Sequence, residues 1–242
     1  MNKAKVHYLY HDGFILETAS HIFIFDYFND ISDSKERSLD TGVIPDEVFY
    51  TQKNIYVLVS HGHEDHFNPL IFNWQNINDK VKYILSSDIE IKDSFPEHRL
   101  ISKDDSLILD DIIIKAYGST DIGVSFLIKA DNINIFHAGD LNWWHWYDES
   151  DEYNSQMAKD FKAEINKLKG VPIDIAFFPV DPRLKEYYYL GGEYFIKNLH
   201  PKLFIPMHFE NHTEITKNFG KKIKEHDTKI IPIHRRGQEI LF

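Results

Sequence analysis

Short apolar runs bounded by turn residues dominate the chain, a pattern that predicts β-strands over most of its length. Val6–Tyr10, Gly13–Thr18 and Ile22–Tyr27 read as three opening strands, and the polar stretch Asp30–Pro45 as a loop or short helix. The run Ile55–Val59 predicts a buried strand, Asn68–Trp74 a helix with Pro69 in its first turn, and Val81–Leu85 a further strand. Ser106–Leu109, Ile112–Tyr117, Val124–Lys129 and Ile133–Phe136 form a second group of predicted strands.

Beyond the acidic, aromatic stretch Trp143–Asp151, the apolar residues Met157, Phe161, Ile165 and Leu168 recur three or four apart. That spacing predicts a helix with one buried face. A strand at Ile173–Phe178, a helix around Glu193–Asn198, a strand at Leu203–Pro206, a helix over Glu214–Glu225 and closing strands at Lys229–Pro232 and Glu239–Phe242 complete the pattern. Each half gives several strands and then alternates strand with helix. Two mixed β-sheets packed face to face with helices on the outer faces, an α/β fold of αββα layering, would bury such a pattern. No linker, low-complexity tract or short repeat divides the chain, so residues 1–242 read as one domain.

Composition supports a sizeable core, since 43% of residues are hydrophobic and 14% aromatic. A net charge of -11 argues against affinity for nucleic-acid phosphates. No run approaches the length of a membrane span and no signal-like segment opens the chain, so the expected protein is cytoplasmic with no membrane partner. The chain contains no cysteine, so any metal must be held by nitrogen and oxygen.

The chemistry concentrates in Ser60-His-Gly-His-Glu-Asp-His66, directly after a predicted strand. His61, His63, Asp65 and His66 offer three imidazoles and a carboxylate at alternating positions, a layout suited to two adjacent metal ions. Three later strands also end in a candidate ligand: Asp140 after Ile133–Phe136, Asp181 with Arg183 after Ile173–Phe178, and His208 after Leu203–Pro206. The histidines at 7, 21, 98, 200, 226 and 234 have no partner nearby in sequence and read as structural. His137, three residues before Asp140, reads as a supporting neighbour, and Trp143, Trp144 and Trp146 flank His145 in a loop that is either a hydrophobic flap or a pocket wall.

From Val6 to about Phe209 the chain resembles the metallo-β-lactamase fold superfamily, in the branch of small bacterial hydrolases that includes the ascorbate-phosphate lactonases. His61, His63, Asp65 and His66 match its His-x-His-x-Asp-His signature, Asp140 its Gly-Asp, and Met207-His208 its late Pro-Met-His; Tyr8–Leu16 is similar to the branch's opening strand pair, whose histidine, here His11, lies close to the metals. The resemblance implies two divalent ions, most readily zinc, with manganese or iron as alternatives. It also implies that His61 and His63 hold one ion, that Asp65, His66 and His208 hold the other, and that Asp140 bridges the two. One further family histidine is missing from the matching segment Lys115–Ser125. Water, Ser119 or Asp121, or an imidazole such as His137 or His145 would stand in its place.

The expected activity is hydrolysis of a small lactone or ester, with Asp65 and Asp140 at the chemistry. Arg183 and Tyr187–Tyr189, Tyr188 among them, are candidates for holding a substrate anion, His11 and Trp144 for lining the pocket, and Asp181 for orienting a ligand. A phosphodiesterase acting on a nucleotide or lipid is the second expectation. A metal-binding sensor or interaction protein with a degenerate first metal site is the third. A small-molecule substrate is the expected partner, and a homo-oligomer is compatible with the sequence.

Overall fold

A computed structural model describes residues 3–32, 34, 36–93, 95–224 and 227–242. They fall into two units, Met1–Ser102 with Arg235–Phe242 and Lys103–His234. Each is built on one sheet of seven strands among the described residues. Glu225, the expected end of a helix, and His226, read as a structural histidine, lie outside the described residues.

In the first unit, β1 (Lys5–Tyr10), β2 (Gly13–Glu17), β3 (His21–Phe25), β4 (Asn54–Val59), β5 (Val81–Ser86), β6 (His98–Ile101) and the C-terminal β14 (Glu239–Leu241) pair in the order β14-β1-β2-β3-β4-β5-β6. The pairs from β14 to β3 are antiparallel and those from β3 to β6 parallel. β4 is buried from Ile55 to Val59, as the unbroken apolar run requires. One face of the sheet, with Leu9, Ile15, Ile24 and Val57, packs against Phe49, Ile71 and Trp74. Fully burying a side chain of this size stabilises the fold by about 1.5–3 kcal/mol.

Two details depart from the sequence pattern. The segment expected as a helix at Asn68–Trp74 is a 3₁₀ helix, Pro69–Asn76, capped by the Asn68 side chain, which accepts from Leu70 N at 3.0 Å. Its buried Ile71 and Trp74 are three residues apart, a spacing that a three-residue turn places on one side. β6 was not expected, because it is an edge strand of sequence HRLI with only Ile101 buried.

In the second unit, β7 (Ser106–Leu109), β8 (Ile112–Gly118), β9 (Val124–Ala130), β10 (Ile133–His137), β11 (Ile175–Pro179), β12 (Leu203–Met207) and β13 (Lys229–Ile230) form a sheet in the order β13-β12-β11-β10-β9-β8-β7. β10 to β13 are parallel and the remaining pairs antiparallel. Helix α1 (Asp151–Lys167) starts at Ser150, whose hydroxyl accepts from Tyr153 N at 3.1 Å, and buries Phe161 and Ile165 as the spacing predicts. α2 (Leu190–Leu199) begins earlier than the sequence suggests, since Gly191 and Gly192 are poor helix formers. Close approach explains them: a Cβ at residue 192 would come within 2.6 Å of the Phe219 ring. Phe219 belongs to α3 (Glu214–Lys222) and stacks on Phe204 of β12.

Both sheets carry parallel strands, and a parallel sheet offers its ligand sites beyond the carboxyl ends of those strands. The candidate residues stand there, after β3 and β4 in one unit and after β10, β11 and β12 in the other.

Candidate functional site

In the first unit, the chain leaving β4 is tied to the end of β3. Asp26 Oδ1 accepts from Ser60 N at 2.8 Å and its Oδ2 from Ser60 Oγ at 2.6 Å. The same Oδ2 lies 2.9 Å from His66 Nδ1, with both side chains fully buried. This pairing directs His66 Nε2 away from Asp26. Ser60 Oγ also meets His61 Nδ1 at 3.0 Å, and His61 Nε2 lies 3.1 Å from His63 Nδ1. Gly62 N donates to Asp88 Oδ2 at 2.8 Å, which fixes the loop between the two histidines.

His11 joins this cluster from the turn between β1 and β2, where it takes φ 53°. Its backbone N–H donates to the buried phenol oxygen of Tyr8 at 2.9 Å, and its Nε2 stands 3.5 Å from Asp65 Oδ2. That imidazole holds the Asp65 carboxyl well below the usual carboxylate range, against the upward push of burial. His66 Nε2 lies 4.0 Å from the other Asp65 oxygen, and buried Asp12 approaches His66 Nδ1 at 3.8 Å.

In the second unit the candidates stand at three successive parallel strands. After β10, Gly139 at φ 49° turns the chain, and its N–H donates to His137 Nδ1 at 3.2 Å. His137 thus shapes the turn that presents Asp140. The Asp140 carbonyl accepts from Trp144 Nε1 at 2.9 Å. After β12, His208 takes φ 64° and points Nε2 to within 3.3 Å of Asp140 Oδ1, while its Nδ1 lies 3.0 Å from Asp181 Oδ2. Burial raises the Asp181 carboxyl, but hydrogen bonds from His208 and Arg183 outweigh it and leave the group below its usual range. Left-handed backbone at His11, Asp26 and His208 is uncommon for residues with side chains, and such conformations cluster where function requires a fixed geometry.

The tryptophan loop divides between flap and wall. Trp143 packs on the helices, its ring 6.1 Å from Phe161 and 4.2 Å from Lys162 Nζ. Trp144 is buried with its ring edge-on to His208 at 5.2 Å, and Trp146 stacks on Trp144 at 5.9 Å. His145 lies against Tyr187 at 4.1 Å. Tyr188 does not join this group; its ring packs on Tyr189 at 5.8 Å, and among the described residues no hydrogen bond ties it to Asp181, Arg183 or His208.

The segment Lys115–Ser125, which holds no histidine, begins within β8. β8 ends at Gly118, whose N–H donates to the buried Glu164 carboxylate at 3.2 Å. A Cβ at 118 would meet that carboxylate at 2.9–3.0 Å, so a side chain there would have to displace Glu164. Asp121 is exposed and its N–H donates to Ser119 Oγ at 3.1 Å. Thr120, which the sequence did not single out, anchors the Asp140 turn: its hydroxyl donates to Asn142 O at 2.6 Å and accepts from Asn142 N at 3.0 Å. Asp26, Ser60 and Tyr8 were likewise missed.

No family model matches the sequence, and no curated protein matches it either. Solved structures do match its fold. The metallo hydrolase Igni18 of the archaeon Ignicoccus hospitalis is 16% identical, with a TM-score of 0.64 over 99% of this chain and 98% of that one. The metallo-β-lactamase fold protein YhfI of Bacillus subtilis is 12% identical, with a TM-score of 0.63 over the full length of both chains (100% of each). CmlA of Streptomyces venezuelae, a diiron β-hydroxylase, is 12% identical with a TM-score of 0.56 over 94% of this chain and 48% of its own. The chain therefore has the metallo-β-lactamase fold, with its two mixed sheets and flanking helices. Hydrolysis and hydroxylation both occur on this fold, so the fold alone does not choose the reaction.

The donor set fits divalent metal. Ligands at about 2.0–2.2 Å from a tetrahedral ion lie about 3.3–3.6 Å from one another. Asp140 and His208 at 3.3 Å match that spacing, with His61 and His63 slightly closer at 3.1 Å. Neutral imidazole and carboxylate are suitable donors for zinc, manganese or iron.

Proposed function

We propose that this chain is a metal-dependent hydrolase in which His61, His63, Asp65, His66, Asp140 and His208 hold two divalent ions, zinc first among the candidates. The observation that carries this reading is the fixed orientation of the imidazoles. His66 and His208 each have Nδ1 against a buried carboxylate, Asp26 and Asp181, which leaves Nε2 to serve as the ligand atom. Structural histidines have no need of two such parallel arrangements at the carboxyl ends of parallel strands.

When bound, such an ion supplies Lewis acidity and brings the ionisation of water toward neutral pH, about 7. The protein's residues have separate tasks around it. Asp65, kept ionised by His11, would help to hold the second ion and orient the attacking water. Asp140 is held in place by the Trp144 bond to its carbonyl and by the Thr120 anchor two residues on. Trp144 and Arg183 line the substrate side in the second unit, and His11 does so in the first. Tyr188 is the weakest of these assignments, since its ring faces Tyr189.

A small lactone or ester is the first substrate class, following the branch that the sequence resembles, and a phosphodiester in a nucleotide or lipid is the second. Elemental analysis of protein loaded with zinc, manganese or iron, followed by assay on lactones, esters and phosphodiesters, tests the reading. Two ions per chain with hydrolysis of one of these classes supports it. One ion or none, with no hydrolysis in any metal form, refutes it in favour of a metal-binding sensor.

A further inference from the structure

The 3₁₀ segment Pro182–Tyr187 and the loop of residues 143–147 meet through three side-chain pairs. Arg183 Cζ lies 5.8 Å from the Trp146 ring centroid, Lys185 Nζ lies 3.1 Å from that of Tyr147, and His145 and Tyr187 pack at 4.1 Å. Two cations are thus held on aromatic faces rather than left to sweep through solvent. Lys185 has φ 52° and ψ −124°, a backbone state that a lysine rarely adopts and that glycine would enter without penalty. The chain keeps a lysine there.

Arg183 has two edges with different duties. Its Nε and Nη2 donate to Asp181 Oδ2 at 2.8 and 2.5 Å. Nη1 makes no hydrogen bond among the described residues, and the side chain is 59% exposed. The guanidinium is a planar fork of five N–H groups, so an inner edge spent on Asp181 leaves an outer edge suited to a second oxyanion. The other carboxylates acting on Arg183 are Asp140, a proposed metal ligand, and Glu210, which is exposed and screened by solvent. In a chain of net charge -11, residues 181–187 are neutral, with Asp181 and Glu186 against Arg183 and Lys185, and Asp181 is already occupied by the inner edge of Arg183.

We propose that Arg183 and Lys185, backed by Trp146 and Tyr147, form an oxyanion subsite, so that the molecule cleaved carries a carboxylate or phosphate in addition to the ester or lactone bond. Cleavage of such a molecule rests on the hydrolase reading; binding of the anion does not. A purely structural Arg183 would need only its inner edge, and Lys185 would have no part in it.

The test combines binding and kinetics on the full chain. Tryptophan fluorescence is titrated with succinate and with inorganic phosphate, for the unsubstituted protein and for Lys185→Gln, Lys185→Gly and Arg183→Lys. A saturable change whose Kd rises at least tenfold in the variants supports the subsite, and the anion bound more tightly assigns carboxylate or phosphate. The Lys185→Gly form retains the backbone freedom that position needs and guards against a folding defect. No saturable change, or equal affinity in all four proteins, overturns the proposal. In the metal-loaded protein, 4-nitrophenyl hemisuccinate is expected to exceed 4-nitrophenyl acetate at least tenfold in kcat/KM. The Lys185 variants should lose that preference through KM, with a loss under threefold on the neutral ester. Equal loss on both esters overturns the subsite. Failure to hydrolyse either ester bears only on the hydrolase reading, and the titration still decides the subsite.

Discussion

His66 Nδ1 lies 2.9 Å from Asp26 Oδ2, and neither side chain is exposed to solvent. The same carboxylate receives the Ser60 N–H and hydroxyl, so one buried group joins the end of β3 to the loop after β4. An ionised carboxylate can only accept, so His66, at 2.9 Å from Asp26 Oδ2, carries its proton on Nδ1. An amide at residue 26 would face that N–H with an NH2 group in one orientation, or surrender a Ser60 bond in the other. Asp26→Asn is therefore expected to lower metal affinity about 10–100-fold while the sheet persists. Competition against a chromogenic chelator measures this, and unchanged affinity would show that Asp26 only supports the fold.

His61→Ala with His63→Ala should remove one ion per chain and leave the fold intact. His63 is exposed, and both residues lie beyond the last residue of β4 rather than within it. Metal content by mass spectrometry and thermal melting of the metal-free protein are the measurements. Two ions retained in the double variant contradict the ligand assignment.

Much of this arrangement was legible in the sequence, because a strand buried along its length must be an apolar run and its end is then visible as the first polar residues. Ser60–His66, Asp140 and His208 could be placed in that way. Asp26 could not, since it closes the apolar run from Ile22 and reads as a polar terminus. Its signal was weak: a carboxylate next to such a run must be paired if it is buried, but only the fold shows the partner, forty residues away. The same holds for Asp181 and His208, twenty-seven residues apart. The aromatic loop was undecidable from sequence because neighbouring tryptophans take opposite roles, Trp143 against Phe161 and Trp144 against His208.

Gly118→Ala tests why β8 ends without a side chain. The new methyl group would sit within 2.9 Å of the Glu164 carboxyl carbon, which is itself held by Lys103 and Lys167. Overpacking of this kind costs about 1–3 kcal/mol, or a fall in Tm of about 2–12 °C. Adding Glu164→Ala opens the space, so the double variant should lose less than the sum of the two single variants. Additive losses would mean that the two positions do not press on each other.

Glu164 also sets an acid limit on stability. Burial raises its carboxyl, yet hydrogen bonds from Lys103 at 2.5 Å and Lys167 at 3.0 Å, with their charges, bring it below the ordinary glutamate value. A depressed folded pKa means that the unfolded chain takes up the proton first as the pH falls. The contribution of Glu164 is then fully present above the unfolded value of about 4.3 and is lost as the pH drops through the lower folded value. Glu164→Gln cannot titrate, so comparing it with the unsubstituted protein isolates this group from Asp65 and Asp181, which shift in the same direction. In urea unfolding of metal-free protein, the stability gap between the two should stay constant from about pH 7 to 5 and narrow below about pH 4.3. A gap that widens toward acid would mean that burial, rather than the two lysines, governs the Glu164 carboxyl.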